Sequence, residues 1–164
     1  MTAANRTRGE TSLVIAAPAT RLWEMVSDIT RMGEWSPETD GGEWLGDAIG
    51  PAVGARFRCR NRRGRTRWST TSEVIAATPG TEFAFGVGGA SKPSTTWRYL
   101  FEPTAAGTRV IESFEFRKPP GMASRLLTRL TIGVTDRRAD LEEGMRRTLA
   151  AVRTAAEEAV SARA

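Results

Sequence analysis

Glu112 is the residue of this chain with the most chemistry in reach. It lies in Val110-Ile111-Glu112-Ser113-Phe114, where alternation along an extended strand puts Val110, Glu112 and Phe114 on one side. If that side is buried, a carboxyl group stands among apolar neighbours. Loss of water then raises its pKa toward the range useful for proton transfer near neutral pH. The competing reading is a strand-end carboxylate paired with Arg98 or Arg109, or one wet at a pocket mouth. Tyr99 is the second weak acid of interest, on the same side of its strand as Trp97, with Arg98 pointing the other way. An outward Arg98 would not reach a reacting enolate. The chain has no histidine, which excludes Ser-His-Asp triads, Cys-His dyads and imidazole-bound zinc or iron within it. Its single cysteine, Cys59, has no imidazole to activate it and reads as a buried thiol.

These residues depend on the elements that carry them. From Ala55 to Phe116 the chain alternates apolar and polar residues and holds nine of its twelve aromatic side chains. A period of two belongs to strands with one buried face. Strands are expected over about 39–45, 55–62, 66–76, 81–87, 95–102 and 108–116, separated by turn signals such as Arg63-Gly64 and Pro79-Gly80. The expected inner face carries Phe57, Cys59 and Asn61, then Trp68, Thr70, Ser72 and Val74. Phe83, Phe85, Trp97, Tyr99, Phe101, Glu112, Phe114 and Phe116 continue it. A single bulge would invert part of a strand.

A short strand over Thr11–Ala17 precedes all of this, followed by a helix from Pro18 to Ile29 and a second short helix over about 31–35. After the break at Lys118-Pro119-Pro120-Gly121 a short helix is expected over Met122–Leu130. The final helix, about 135–160, shows a stripe of Leu141, Met145, Leu149, Val152, Ala156 and Val160, with Glu142/Arg146 and Glu143/Arg147 as outer i,i+4 pairs. The expected organisation is a flexible leader over residues 1–10 and a single α+β domain over 11–160.

With 164 residues, 40% hydrophobic and 26% charged, the composition is that of one globular domain. No run is apolar enough to span a membrane. The polar start and lone cysteine point to a cytoplasmic location. The net charge of +5 rests almost wholly on arginine, and seven arginines fall in Arg56–Arg67. Alternation explains them as the wet face of a hairpin. Weak contact with an anionic membrane or acidic partner is compatible with that tract, whereas specific nucleic-acid binding is not expected. The loop Gly86–Ser94 lacks the residues of a phosphate loop and is expected at a cavity rim.

The order of elements, and the stretches 13–28 (LVIAAPATRLWEMVSD), 34–37 (EWSP), 107–113 (GTRVIES) and 135–149 (TDRRADLEEGMRRTL), resemble the START-like (SRPBCC, helix-grip) superfamily in its polyketide cyclase/dehydrase-like branch. The resemblance implies about seven antiparallel strands curved around the C-terminal helix, with an internal cavity. It implies binding of a small hydrophobic molecule such as a lipid, polyketide or quinone, for transport, storage or sensing. Alternatives are an aromatase/cyclase or dehydratase, or an interaction module with a vestigial pocket. The expected ligand-binding residues are Trp35, Phe57, Trp68, Thr70, Phe85, Trp97, Tyr99, Glu112, Phe114, Leu141 and Met145, with Glu112 and Tyr99 as weak catalytic candidates. Neither a metal nor an organic cofactor is implied.

Overall fold

The computed structural model describes residues 7–118, 130, 133, 134 and 136–162. Seven strands form one antiparallel sheet: β1 Arg8–Ile15, β2 Thr39–Leu45, β3 Arg56–Arg63, β4 Thr66–Thr78, β5 Glu82–Val87, β6 Thr95–Thr104 and β7 Gly107–Phe116. Their spatial order is β1-β7-β6-β5-β4-β3-β2. Helices α1, Ala19–Ser27, and α2, Met32–Trp35, follow β1 with a 3-10 turn over Ile29–Arg31 between them. Helix α3, Arg137–Ser161, lies against the sheet nearest β1 and touches both short helices. This is the helix-grip arrangement that the resemblance implied.

The alternation does what a half-buried sheet requires. In β3, Phe57, Cys59 and Asn61 are buried while Arg56, Arg58, Arg60 and Arg62 are exposed. Val110, Glu112 and Phe114 of β7 are buried in the same way. Strand β4 contains the irregularity that alternation alone cannot locate. Its register with β5 shifts between Val74 and Ala76, so Val74 faces Phe85 and Ala77 faces Phe83. The bulge turns Ala77, instead of Ala76, toward the core.

One boundary needs correction. Arg8, Gly9 and Glu10 pair with Glu115, Phe114 and Ser113 of β7, so the sheet begins inside the expected leader of residues 1–10. Thr7 follows suit, its carbonyl accepting from the Phe116 amide at 2.7 Å. Backbone groups at a sheet edge gain partners by extending the ladder, which polarity of the side chains does not oppose. Residues 1–6 and, apart from Leu130, the expected helix over 122–130 lie outside the described residues.

The core divides into two clusters. The larger joins Leu22, Met25 and Val26 of α1 to Phe57, Val74, Phe83, Tyr99, Phe101 and Val110 of the sheet, and to Leu149, Val152 and Ala156 of α3. Side-chain anchors fix this end: the Trp23 indole donates to the Glu82 carbonyl at 2.8 Å. The Thr108 hydroxyl donates to the Ala17 carbonyl at 2.8 Å. The smaller cluster contains Phe114, Leu141 and Met145, flanked by Trp97 and Phe116. Between the two, on β7, sits Glu112, directly opposed in the ladder to Tyr99 of β6 at the edge of the larger cluster.

Candidate functional site

Glu112 faces inward and is 3% exposed. Its place follows from strand period: Val110 belongs to the larger cluster and Phe114 to the smaller, so the residue between them on that face cannot avoid the interior. The Tyr99 hydroxyl donates to Glu112 Oε1 at 2.7 Å, while Oε2 is buried without a partner. Burial pushes the Glu112 carboxyl up to about 8, and the Tyr99 hydrogen bond offsets part of that rise. Near neutral pH the group is therefore mostly a neutral acid. With Oε1 accepting from Tyr99, the proton sits on Oε2, leaving an O–H donor with nothing to bond. Tyr99 is held well above the ordinary phenol range by burial, then by the neighbouring carboxylate, and stays a donor.

Glu112 forms part of the wall of a cavity of about 430 Å³ at the end of the sheet where the smaller cluster lies. That size falls within the range of small-molecule sites, ~300–1,000 Å³. Trp97 from β6, Leu141 and Met145 from α3, and Pro37 from the segment after α2 supply its apolar wall. Gly144 of α3 leaves room: a Cβ there would meet only Pro37 Cγ, at 3.9 Å. Thr148 also lines the cavity, but its hydroxyl is turned back to the Gly144 carbonyl at 3.0 Å.

Charged residues close the mouth. Arg137 bridges Glu38 at 2.8 Å and Asp140 at 2.8 Å, and Asp140 also pairs with Arg63 at the tip of the β3–β4 hairpin. The network ties the start of α3 to the hairpin and to the segment before β2. Its side chains are 16–39% exposed, so these pairs are better shielded than ordinary surface ones.

Of the eleven expected ligand-binding residues, the cavity brings together Trp97, Glu112, Leu141 and Met145. Tyr99 stands behind Glu112 and Phe114 is buried beside Trp97, their rings 5.4 Å apart. Phe57 and Phe85 stack edge-on at 5.1 Å within the larger cluster. Trp68 lies opposite Asn61 and is half-buried, and Thr70 is engaged by the Asn61 amide at 3.2 Å. None of these four lines the cavity. Nor does Trp35: its indole N–H donates to the Met25 carbonyl at 3.2 Å, and the Arg31 guanidinium covers its ring at 5.1 Å. An indole satisfied by the backbone has no donor left for a guest.

Arg98 points outward and pairs with Glu82 at 3.1 Å. Cys59 is buried, and burial pushes its thiol up to about 11, which makes it a poor nucleophile. The Gly86–Ser94 loop does not reach the cavity rim; the Gly88 amide is held by the Thr71 carbonyl at 2.8 Å and Ala90 by Glu73 at 3.4 Å. The lining residues missed by sequence reasoning include Pro37, Glu38, Arg63, Asp140, Gly144 and Arg147. Gly144 carried a usable signal, because a glycine inside a helix costs ~1 kcal/mol against alanine and asks for a reason. The charged rim carried none, since ion pairing across distant segments leaves no local pattern.

Among the described residues, no helix is long and apolar enough to cross a membrane, and no group of His, Cys, Asp and Glu is arranged to hold a metal ion.

The same architecture recurs in solved structures. The di-domain aromatase/cyclase StfQ of the steffimycin biosynthetic pathway matches at TM-score 0.74 and 16% identity, over 96% of this chain and 53% of StfQ. This chain thus spans about half of StfQ. Protein NE0264 of Nitrosomonas europaea matches at TM-score 0.69 and 12% identity, over 95% of this chain and 97% of its own. At these identities the likeness is one of fold. The polyketide-cyclase-like protein Cgl2372 of Corynebacterium glutamicum is 37% identical over 94% of this chain and 87% of its own, with TM-score 0.49. No curated protein matches the sequence. A sheet gripping one helix over a walled cavity thus joins a sequence match that runs from residue 6 to residue 157, and the chain belongs to the polyketide cyclase/dehydrase and lipid transport family.

Proposed function

We propose that this protein binds a small, largely apolar molecule with an acceptor oxygen, a carbonyl or hydroxyl, at its buried end. The observation that carries this reading is Glu112 in the cavity wall, with its Oε2 buried and unpartnered. A buried donor without a partner costs ~1–3 kcal/mol, and a guest oxygen removes that cost. Apolar surface of the guest meets Trp97, Leu141 and Met145, where transfer from water contributes about 25 cal/mol per Å² before ordering costs.

A second reading, an aromatase/cyclase or dehydratase, is favoured by the same protonated carboxyl. In a dehydration, Glu112 would give its proton to a departing hydroxyl, which leaves as water. The resulting carboxylate would then take the α-proton as the double bond forms. That step briefly buries a carboxylate, and Arg98, the cation beside Tyr99 on its strand, is turned outward onto Glu82 and steadies neither it nor an enolate. Binding is therefore the first reading.

Native mass spectrometry of protein purified from its own host, with denaturing extraction, tests occupancy. Calorimetry with 2-decanone against 1-decene tests the chemistry. The ketone should bind about fivefold tighter to the native protein and to Glu112→Gln, whose amide still donates, and lose that preference in Glu112→Leu. Equal binding of both probes by the native protein overturns the role of Glu112. An empty protein that takes up neither probe overturns the binding reading.

A further inference from the structure

The arginines around the cavity mouth are not all paired. Helix α3 was expected to pair Glu142 with Arg146 and Glu143 with Arg147. Instead Glu142 is taken by Arg138 at 2.7 Å and Glu143 by Arg146 at 2.9 Å. Arg62 pairs with Asp40 at 3.2 Å, Arg63 with Asp140, and Arg137 with both Glu38 and Asp140. Around the opening, five arginines (62, 63, 137, 146 and 147) thus meet four carboxylates (Glu38, Asp40, Asp140 and Glu143). The arginine left over is Arg147, which is exposed and has no ion-pair partner among the described residues. It is not a remote surface charge: Arg147 lines the cavity, as do Arg62 and Arg63 across the opening.

The cavity therefore has a polarity along its depth. Glu112, with its Oε2 unpartnered, stands at the buried end. Trp97, Leu141 and Met145 form the apolar middle, and the guanidinium of Arg147, without an ion-pair partner among the described residues, stands at the mouth. Arginine stays protonated and offers a fork of N–H donors to a carboxylate or phosphate.

We infer that the ligand is an anionic amphiphile, held with its carboxylate or phosphate against Arg147 at the mouth and its neutral oxygen against Glu112. This deepens the binding reading above and rests on it. The rim carboxylates do not oppose such a ligand, because each is already engaged by an arginine. Orientation follows from the same arrangement: the charged end stays near water, where its desolvation cost is small, and the neutral end is buried.

A homologous series of long-chain keto acids with the ketone near the far end, each compared with its methyl ester, tests this by calorimetry. The carboxylates should bind about five- to tenfold tighter than their esters at low ionic strength. Arg147→Gln should abolish that preference, whereas Arg153→Gln, an exposed arginine farther along α3 and away from the cavity, should keep it. Acids and esters bound equally by the native protein would overturn the anionic assignment while leaving the binding reading standing. A preference that survives in Arg147→Gln would overturn the role of Arg147. Failure of every member to bind would overturn both readings.

Discussion

The two ends of this sheet are built on the same alternation, yet one is solid and the other hollow. At the closed end Phe57, Phe83, Phe101 and Val110 meet a lid of side chains from two helices, Leu22, Met25 and Val26 on α1 and Leu149, Val152 and Ala156 on α3. At the open end Trp97 and Phe114 meet one helix only, and that helix offers Leu141, Met145 and a glycine. Strand period decides which side chains face in; what stands opposite decides whether they pack or line a space. Glu112 and Tyr99 sit where the two regimes meet, which is why one carboxyl is both fully buried and on a cavity wall.

The strongest way to break the comparison is to truncate one aromatic at each end. Phe57→Ala should cost about 3–5 kcal/mol in urea unfolding, because a 1%-exposed ring leaves a void among close neighbours. Trp97→Ala should cost less than about half as much, since its ring already borders a cavity, and should instead weaken 2-decanone binding. Equal stability losses would show that the two ends are packed alike.

The boundary residue comes next. Burial raises the Glu112 carboxyl to about 8 in the fold from an ordinary value of 4.5. The folded state then holds a proton that the unfolded state releases between those values. Stability should thus be full below about pH 4.5 and decline as the pH rises to about 8, by a few kcal/mol, roughly 5 at most. Glu112→Gln should flatten the profile and be the more stable form at pH 8.5. A native protein equally stable at pH 5.5 and 8.5 would mean that Glu112 is ionised in the fold.

Smaller effects sharpen the picture. Tyr99→Phe deprives Glu112 Oε1 of its donor and should cost about 1–2 kcal/mol. It should also move the Glu112 titration further upward, as carboxyl-carbon NMR would show; a downward move would contradict the present account of the pair. Gly144→Ala should raise stability by about 0.5–1 kcal/mol, because a Cβ there has open space and alanine favours helix. Gly144→Leu should project into the hollow and reduce binding of 2-decanone while the protein still folds.

How much of this was legible beforehand follows the same division. The inner face of β3, β6 and β7, the outward Arg98 and the stripe Leu141–Met145–Leu149 could be read because burial imposes local periods of two and of 3.6 on the chain. The bulge at Val74/Ala76 leaves no such mark, and neither does the choice between filled and hollow. Trp35 illustrates the limit. Its chemistry suits a ligand wall, but the Met25 carbonyl, ten residues earlier, takes its only donor. Arg147 illustrates the converse, since i,i+4 spacing assigned it a partner that the fold gives to Arg146.

The attachment of α3 has a consequence of its own. The helix is 25 residues long. Its second half is seated in the core by Leu149, Val152 and Ala156, while its first turn is tied down by the Arg137–Glu38 and Asp140–Arg63 pairs. Sodium chloride screens charges with a Debye length of about 10 Å at 0.1 M and about 3 Å at 1 M, and it leaves buried apolar packing in place. One rod is thus clamped at one end and tethered at the other. The ionic strength of the surroundings sets the tension of the tether, and amide hydrogens of the first turns should exchange faster in brine while those near Val152 keep their pace.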